Sequence, residues 1–346
     1  MSNHKSKKRT TNNGHAADDA VDTSKPSAIF KPNKGRTHTL SLALPGSIIA
    51  NVSTPEKKTA LAGQIARACA VFCVDEVIIY NDGTVSIKDP EPNGYTAFTD
   101  PNHFLYHILS YLETPPHLRR TLFPMHPDLE KAGALPSLDM PHHLRSDEWC
   151  PYREAVATGR GKAGVTMVDT GLQQQVTVPM EIERDARVTV KFPGSAQGSY
   201  GTIAAEAVTP DAPREEAGYY WGYSSRQAGS LSAVFTECPF DGGYDFSIGT
   251  SERGEPVNNL LSSAHASYVR PTWQHLLLVF GGVAGLEAAL GNDVELRGAG
   301  VGDVSELFDR WTNLVAGQGS RTIRTEEAVW IGLTSLRPLV IERDAS

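Results

Sequence analysis

A chain of 346 residues, 40% hydrophobic and 21% charged, is long enough for two domains or for one domain carrying an insertion. No run approaches the roughly 18 apolar residues of a membrane-spanning helix, and no apolar segment follows the N-terminus, so neither a membrane partner nor a secretory signal is expected. Cys69, Cys73, Cys150 and Cys238 are too scattered for a disulfide framework and lack C-x-x-C spacing, which points to a reducing compartment and to no metal site.

The net charge of −8 hides an asymmetry. Residues 1–40 carry eight Lys or Arg against three Asp, or +5, which leaves −13 on the rest. Residues 1–36 have no hydrophobic periodicity and read as a disordered basic arm. Such an arm serves nuclear import or nucleic-acid binding, or is only a solvated terminus.

Order begins at THTLSLALPG, an alternating strand that exits at Pro45-Gly46. A helix follows, capped by Ser53 or Thr54, with Leu61, Ile65, Cys69 and Phe72 on one face. VDEVIIYND is a buried strand, so these pieces form a βαβ unit and predict a parallel sheet. A helix near His103–Glu113 stops at Pro115-Pro116. His103 and His107 share a face of it without the Glu of a metalloprotease helix, and read as a structural or surface pair.

Between 151 and 212 the pattern changes to short strands split by Gly and Pro, a small inserted β-barrel. Arg160, Lys162, Arg184, Arg187 and Lys191 give it either a basic nucleic-acid-binding face or ordinary surface decoration. The α/β domain then comprises 37–150 and 213–346. In its second part GYYWGYSSR reads as a strand, GSLSAVFTEC as a helix, GYDFSIGTSERG as a strand with a polar exit, and HLLLVFGGVAGLEAAL as a strand, glycine turn and helix.

Three glycine-containing boundaries stand out: IGTSERG (248–254), VFGGVAGLE (279–287) and GQGSRTIRTEE (317–327). None is a phosphate loop or a dinucleotide fingerprint. Glycine lets the backbone approach a ligand, and in a parallel sheet such loops share one edge.

In this order the segments LSLALPGSI, AGQIARACAVFCVDEV, LRRTLFPMHPDL, GYYWGYSSR, LSAVFTECPFDGGYDFSIGTSERG, LLLVFGGVAGLE and GQGSRTIRTEEA resemble the SPOUT RNA methyltransferases. More closely, they resemble the eukaryotic SPOUT-domain family that includes the centromere protein 32 type. The resemblance implies an α/β fold with a C-terminal trefoil knot around S-adenosylmethionine, and an inserted OB-like barrel. It implies cofactor contacts from Thr250, Ser251, Gly281, Gly282, Gly285, Gly317, Gly319, Ser320, Thr322 and Ile323. It also implies a homodimer, an RNA substrate with uridine N3 of rRNA as acceptor, and a nuclear or nucleolar location with cytoplasmic or spindle association.

Methylation at a ring nitrogen releases a proton and develops negative charge on the base. Arg253, Arg321 and Arg324 are the loop cations that could stabilise it, with Glu252 or Glu327 as base or as the partner that orients an arginine. The same arginines could instead contact phosphate or pair with Glu326 or Glu327. The alternative function is a non-catalytic RNA-binding or mitotic scaffold that retains the fold.

Overall fold

Two short strands and the helix between them set the frame. In the structure, a computed structural model that describes residues 34–160, 164–198 and 201–345, β1 (Thr39–Pro45) and β2 (Glu76–Tyr80) are buried at every position. Strands covered on both faces need no polar alternation, and EVIIY has none between its ends. α1 (Pro55–Val71) links them. Thr54 Oγ1 accepts the Lys57 amide proton at 3.3 Å to start it, and Cys73, at φ 57°, turns the chain away after it.

α2 (Pro101–Glu113) begins where Asp100 Oδ1 accepts the amide protons of Asn102 at 2.9 Å and His103 at 3.2 Å. The Pro115-Pro116 stop holds, but Pro116 opens another short helix, α3 (Pro116–Leu122). Arg119 donates from it to the carbonyls of Thr114 at 2.8 Å and Leu112 at 2.9 Å, and lies over the Tyr111 ring. His107 faces inward, with its ring 5.8 Å from Phe123 and 4.8 Å from His126. Burial first, then the neighbouring His126 and His103, pushes its imidazole down to about 4.

The inserted region makes its own six-stranded sheet from β3 (Tyr152–Arg160), β4 (Thr166–Asp169), β5 (Val176–Val178), β6 (Arg187–Lys191), β7 (Ile203–Ala204) and β8 (Glu206–Val208). Its order is β7-β5-β4-β3-β6-β8. The one segment 203–208 pairs with β5 through β7 and with β6 through β8, so the sheet curls back nearly onto itself. Val168, Val176, Val178, Val190, Phe192 and Ile203 fill it.

The expected basic face is mostly spent on ion pairs. Arg187 bonds Glu113 at 2.7 Å and Glu154 at 2.6 Å, Lys191 pairs with Glu216, and exposed Arg184 lies 3.8 Å from Asp185. Lys162 and the side chain of Arg160 lie outside the described residues, as does the basic arm before residue 34. Arg36, counted with that arm, belongs to the folded body: its guanidinium pairs with Asp75 at 2.7 Å.

After α4 (Ala212–Ala217) the extended strand expected over 218–226 is cut short. Gly218 at φ 74° and Gly222 at φ 89° bend the chain, and β9 (Ser224–Ala228) starts only beyond them. α5 (Leu231–Thr236), β10 (Phe246–Pro256), α6 (Val257–Leu261), β11 (His275–Val279), α7 (Gly285–Asn292), α8 (Val294–Gly298), β12 (Arg310–Asn313) and α9 (Thr325–Ala345) complete the chain. The main sheet, β12-β10-β11-β1-β2-β9, is parallel throughout.

Residue parity sorts its two faces. Leu42, Leu44, Val77 and Ile79 point with Leu276 and Leu278 into a core shared with α1, α2 and α9, while Ala43, Ile78, Leu277 and Val279 meet α5 and α7 on the other side. Among the described residues no helix is long and apolar enough to cross a membrane.

Candidate active site

β1 and β11 are neighbours at the centre of the main sheet, with β2 and β9 on one flank and β10 and β12 on the other. The chain thus changes direction between β1 and β11, and the crevice beyond the carboxyl ends of such strands is where open parallel sheets hold ligands. A cleft of about 520 Å³ opens there. That size suits a small molecule. Its walls come from the turn after β1 (Ile48, Asn51), residues 250–253 of β10, the loop after β11, and the segment between β12 and α9.

Each wall has a local cause. β10 pairs with β12 at Thr250↔Thr312 and again at Glu255↔Thr312, so residues 251–254 bulge out of the ladder. The polar exit expected after Gly249 is therefore a bulge inside a longer strand. Gly254 lies so close to β12 that a Cβ there would sit 2.4 Å from the Thr312 carbonyl carbon. Asn313 Nδ2 donates to Glu252 O at 2.7 Å and holds the bulge over the cleft.

The loop after β11 is tighter still. A Cβ on Gly281 would approach Leu286 N to 2.8 Å, and Gly285 has φ 75°. Three side chains from separate elements fix this loop. Tyr80 of β2 donates to Phe280 O at 2.8 Å, Thr250 to Val279 O at 3.1 Å, and Thr325 of α9 to Gly281 O at 3.0 Å. Tyr80 is wholly buried, and burial, then nearby Asp82, raises its phenol well above the usual range. It is therefore a proton donor at every physiological pH. The turn after β1 is held by Lys58, whose buried ammonium donates to Ile49 O at 2.6 Å.

Thr250, Ser251, Arg253, Gly281, Gly282, Gly285, Arg321, Thr322, Ile323 and Arg324 all stand on the cleft wall. Gly317, Gly319 and Ser320 lie in the third loop without lining the cleft. Gly317 turns the chain at φ 79°, and the Ser320 hydroxyl donates to Thr322 O at 2.9 Å, so these residues shape the wall from behind. Glu327 also stands off the wall, accepting the Arg324 amide proton at 2.9 Å. Ile48, Asn51, Asn313, Leu314 and Val315 also line the cleft, although no motif in the sequence marks them. The tie from Thr325 to Gly281 O is equally hidden in the sequence, because it joins segments 44 residues apart.

The three arginines are not equivalent. Arg324 Nε is 2.5 Å from Glu326 Oε1, and Arg253 Nη1 is 3.3 Å from Glu287 Oε1. Arg321, exposed at the cleft, has no ion pair or side-chain hydrogen bond among the described residues. The cleft thus offers apolar walls in Ile48, Phe280, Leu314 and Ile323, a main-chain loop at the glycines, and, among the described residues, a cation without an ion pair in Arg321.

Residues 39–336 match a family model described as "Putative RNA methyltransferase". A 28S rRNA (uridine-N(3))-methyltransferase of Homo sapiens is 44% identical over 323 residues, 92% of this chain and 83% of that protein. The Mus musculus protein of the same name is 45% identical over 312 residues, covering 89% and 78%. That of Drosophila melanogaster is 41% identical over 320 residues, covering 89% of this chain and 63% of its own. The chain belongs to this family of RNA methyltransferases.

Proposed function

We propose that the protein is an S-adenosylmethionine-dependent methyltransferase acting on ribosomal RNA at uridine N3. The observation that carries this reading is the convergence of three loops, from β10, β11 and the start of α9, on one cleft at the switch point of the sheet. The names of the similar proteins supply the substrate class. With the reading go a trefoil knot at the C-terminal loops, an OB-like inserted barrel, a homodimer and a nuclear or nucleolar location.

In the reaction the uracil N3–CH₃ bond forms as the sulfonium S–CH₃ bond breaks, and the N3 proton leaves. The cleft's part is to hold donor and acceptor in line. Thr250, Ser251 and the loop Gly281–Gly285 bind the methyl donor, with Thr322 and Ile323 closing over it. Arg321 is the cation free to stabilise charge on the base, because Arg253 and Arg324 are partly neutralised by Glu287 and Glu326. In this reading Glu252, which lines the wall, takes the proton, because Glu327 accepts the Arg324 amide proton instead.

The test is calorimetric titration with S-adenosylmethionine, beside a Thr322→Trp variant that fills the cleft from an exposed position. Micromolar binding that falls at least tenfold in a folded variant is expected, together with transfer of labelled methyl to an rRNA fragment. A wild-type protein that binds neither the donor nor transfers methyl to RNA would remove the enzymatic reading and leave the RNA-binding scaffold.

A further inference from the structure

We propose that His107, His126 and Asp128 form a binding site for one divalent transition-metal ion of the zinc type, tying α2 to the segment that follows α3. One donor atom from each of the three residues lies within 4.8 Å of the other two. The site is remote in sequence from the methyl-transfer loops and does not depend on that reading.

The polar atoms there do not satisfy one another. Asp128 is 8% exposed; its Oδ1 accepts the Ala97 amide proton at 3.2 Å, while its buried Oδ2 has no hydrogen-bond donor. His126 Nδ1 stands 3.5 Å from Oδ2; the Asp128 amide approaches the same nitrogen at 3.2 Å, and an ion held there would take over that lone pair. His107 Nδ1 is buried and also without a partner. A buried carboxylate oxygen and a buried ring nitrogen that each lack a partner are costly. A cation between them removes both penalties.

Two imidazoles and a carboxylate are a donor set for zinc and neighbouring ions rather than for magnesium or calcium, which favour all-oxygen shells. Three protein ligands leave a fourth position for water. The rings are already braced. His107 stacks on Phe123 at 5.8 Å, and the ring of His103, one turn earlier, lies tilted against that of His107 at 5.7 Å. The ion would join the middle of α2 to the turn Pro127–Leu129, and α2 in turn buttresses the start of the cleft wall, since a Cβ on Gly46 would lie 2.4 Å from Asn102 Cα.

The untagged full-length protein, stripped with chelator, should be titrated with Co²⁺ and then Zn²⁺. The expected result is one Co²⁺ per chain with the visible absorption of a four-coordinate ion, displaced stoichiometrically by Zn²⁺, and a higher melting temperature with Zn²⁺ bound. His107→Gln and the near-isosteric Asp128→Asn should each weaken binding at least about 100-fold, since losing a ligand should cost more than losing a group that only orients one. His265→Gln, an exposed histidine elsewhere, should change nothing. No stoichiometric Co²⁺ on the wild type would overturn the proposal, even if the variants fail to fold. So would binding that survives Asp128→Asn unchanged, because the ion would then be held without the carboxylate that the site requires.

Discussion

Thr325 is where a single hydroxyl joins two of the three cleft loops, donating from the first residue of α9 to Gly281 O. Thr325→Val keeps the shape and removes the donor, so it should cost about 1 kcal/mol of stability. If the donor-binding reading holds, affinity for S-adenosylmethionine should also fall several-fold. Denaturant titration and calorimetry check both; a variant with unchanged stability and affinity would show that the loops hold their positions without this tie. At this scale the glycines were legible because Gly281 and Gly285 need conformations or approaches that other residues resist. The state of the arginines was not legible. Glu326, a sequence neighbour, was foreseeable as a partner for Arg324, but Glu287, which takes Arg253, is brought near only by the packing of β10 beside β11.

α2 shows what element-level patterning captures. Apolar residues at Phe104, Leu105, Ile108, Leu109 and Leu112 bury one face of the helix, and the Pro pair ends it. Its start is two residues before the expected His103, because Asp100 caps it and Pro101 fits the first turn. Asp100→Ala should therefore destabilise the protein by about 1 kcal/mol, and Asp100→Asn by much less. Equal losses for the two would mean that charge, not the cap bond, holds the helix start. β10 shows the reverse case. Its run SERG reads as a strand exit, yet pairing resumes at Glu255 because β12 lies alongside to receive it. A bulge depends on the partner strand, which local sequence does not contain.

For the whole molecule, the joint between the inserted sheet and the main domain is the feature that pairwise reading could not reach. Glu113 of α2, Glu154 of β3 and Arg187 of β6 meet there, with Trp221 Nε1 donating to Glu154 Oε1 at 2.7 Å and Thr189 Oγ1 to the same oxygen at 2.6 Å. Burial alone would raise the Glu113 carboxyl. The charge of Arg187 and the hydrogen bonds from His142 and Arg187 outweigh it and hold the group well below the usual carboxylate range. A depressed folded value contributes stability above the unfolded pKa of about 4.3, and that contribution is lost as pH falls below it. Arg187→Met removes the guanidinium shared by two buried carboxylates and should cost about 3 kcal/mol at pH 7. The cost should shrink as pH is lowered toward 4, where Glu113, freed of the Arg187 charge, can take up a proton. Denaturant midpoints measured at both pH values decide it; an equal cost at each would mean that Arg187 acts through packing rather than charge.

By itself the sequence determined the alternation of buried strands and amphipathic helices, the change of character at the insertion, and the three glycine boundaries. Each is written in periodicity or in backbone stereochemistry, which neighbouring residues impose on one another. Only the tertiary structure decided the strand order that brings those boundaries to one cleft, the curl of the second sheet, and the pairing of charges. It also decided that His107, packed beside His103, faces His126 and Asp128 as well. Those outcomes depend on contacts between segments far apart in the chain, whose energies arise only when the core has excluded water and brought them together.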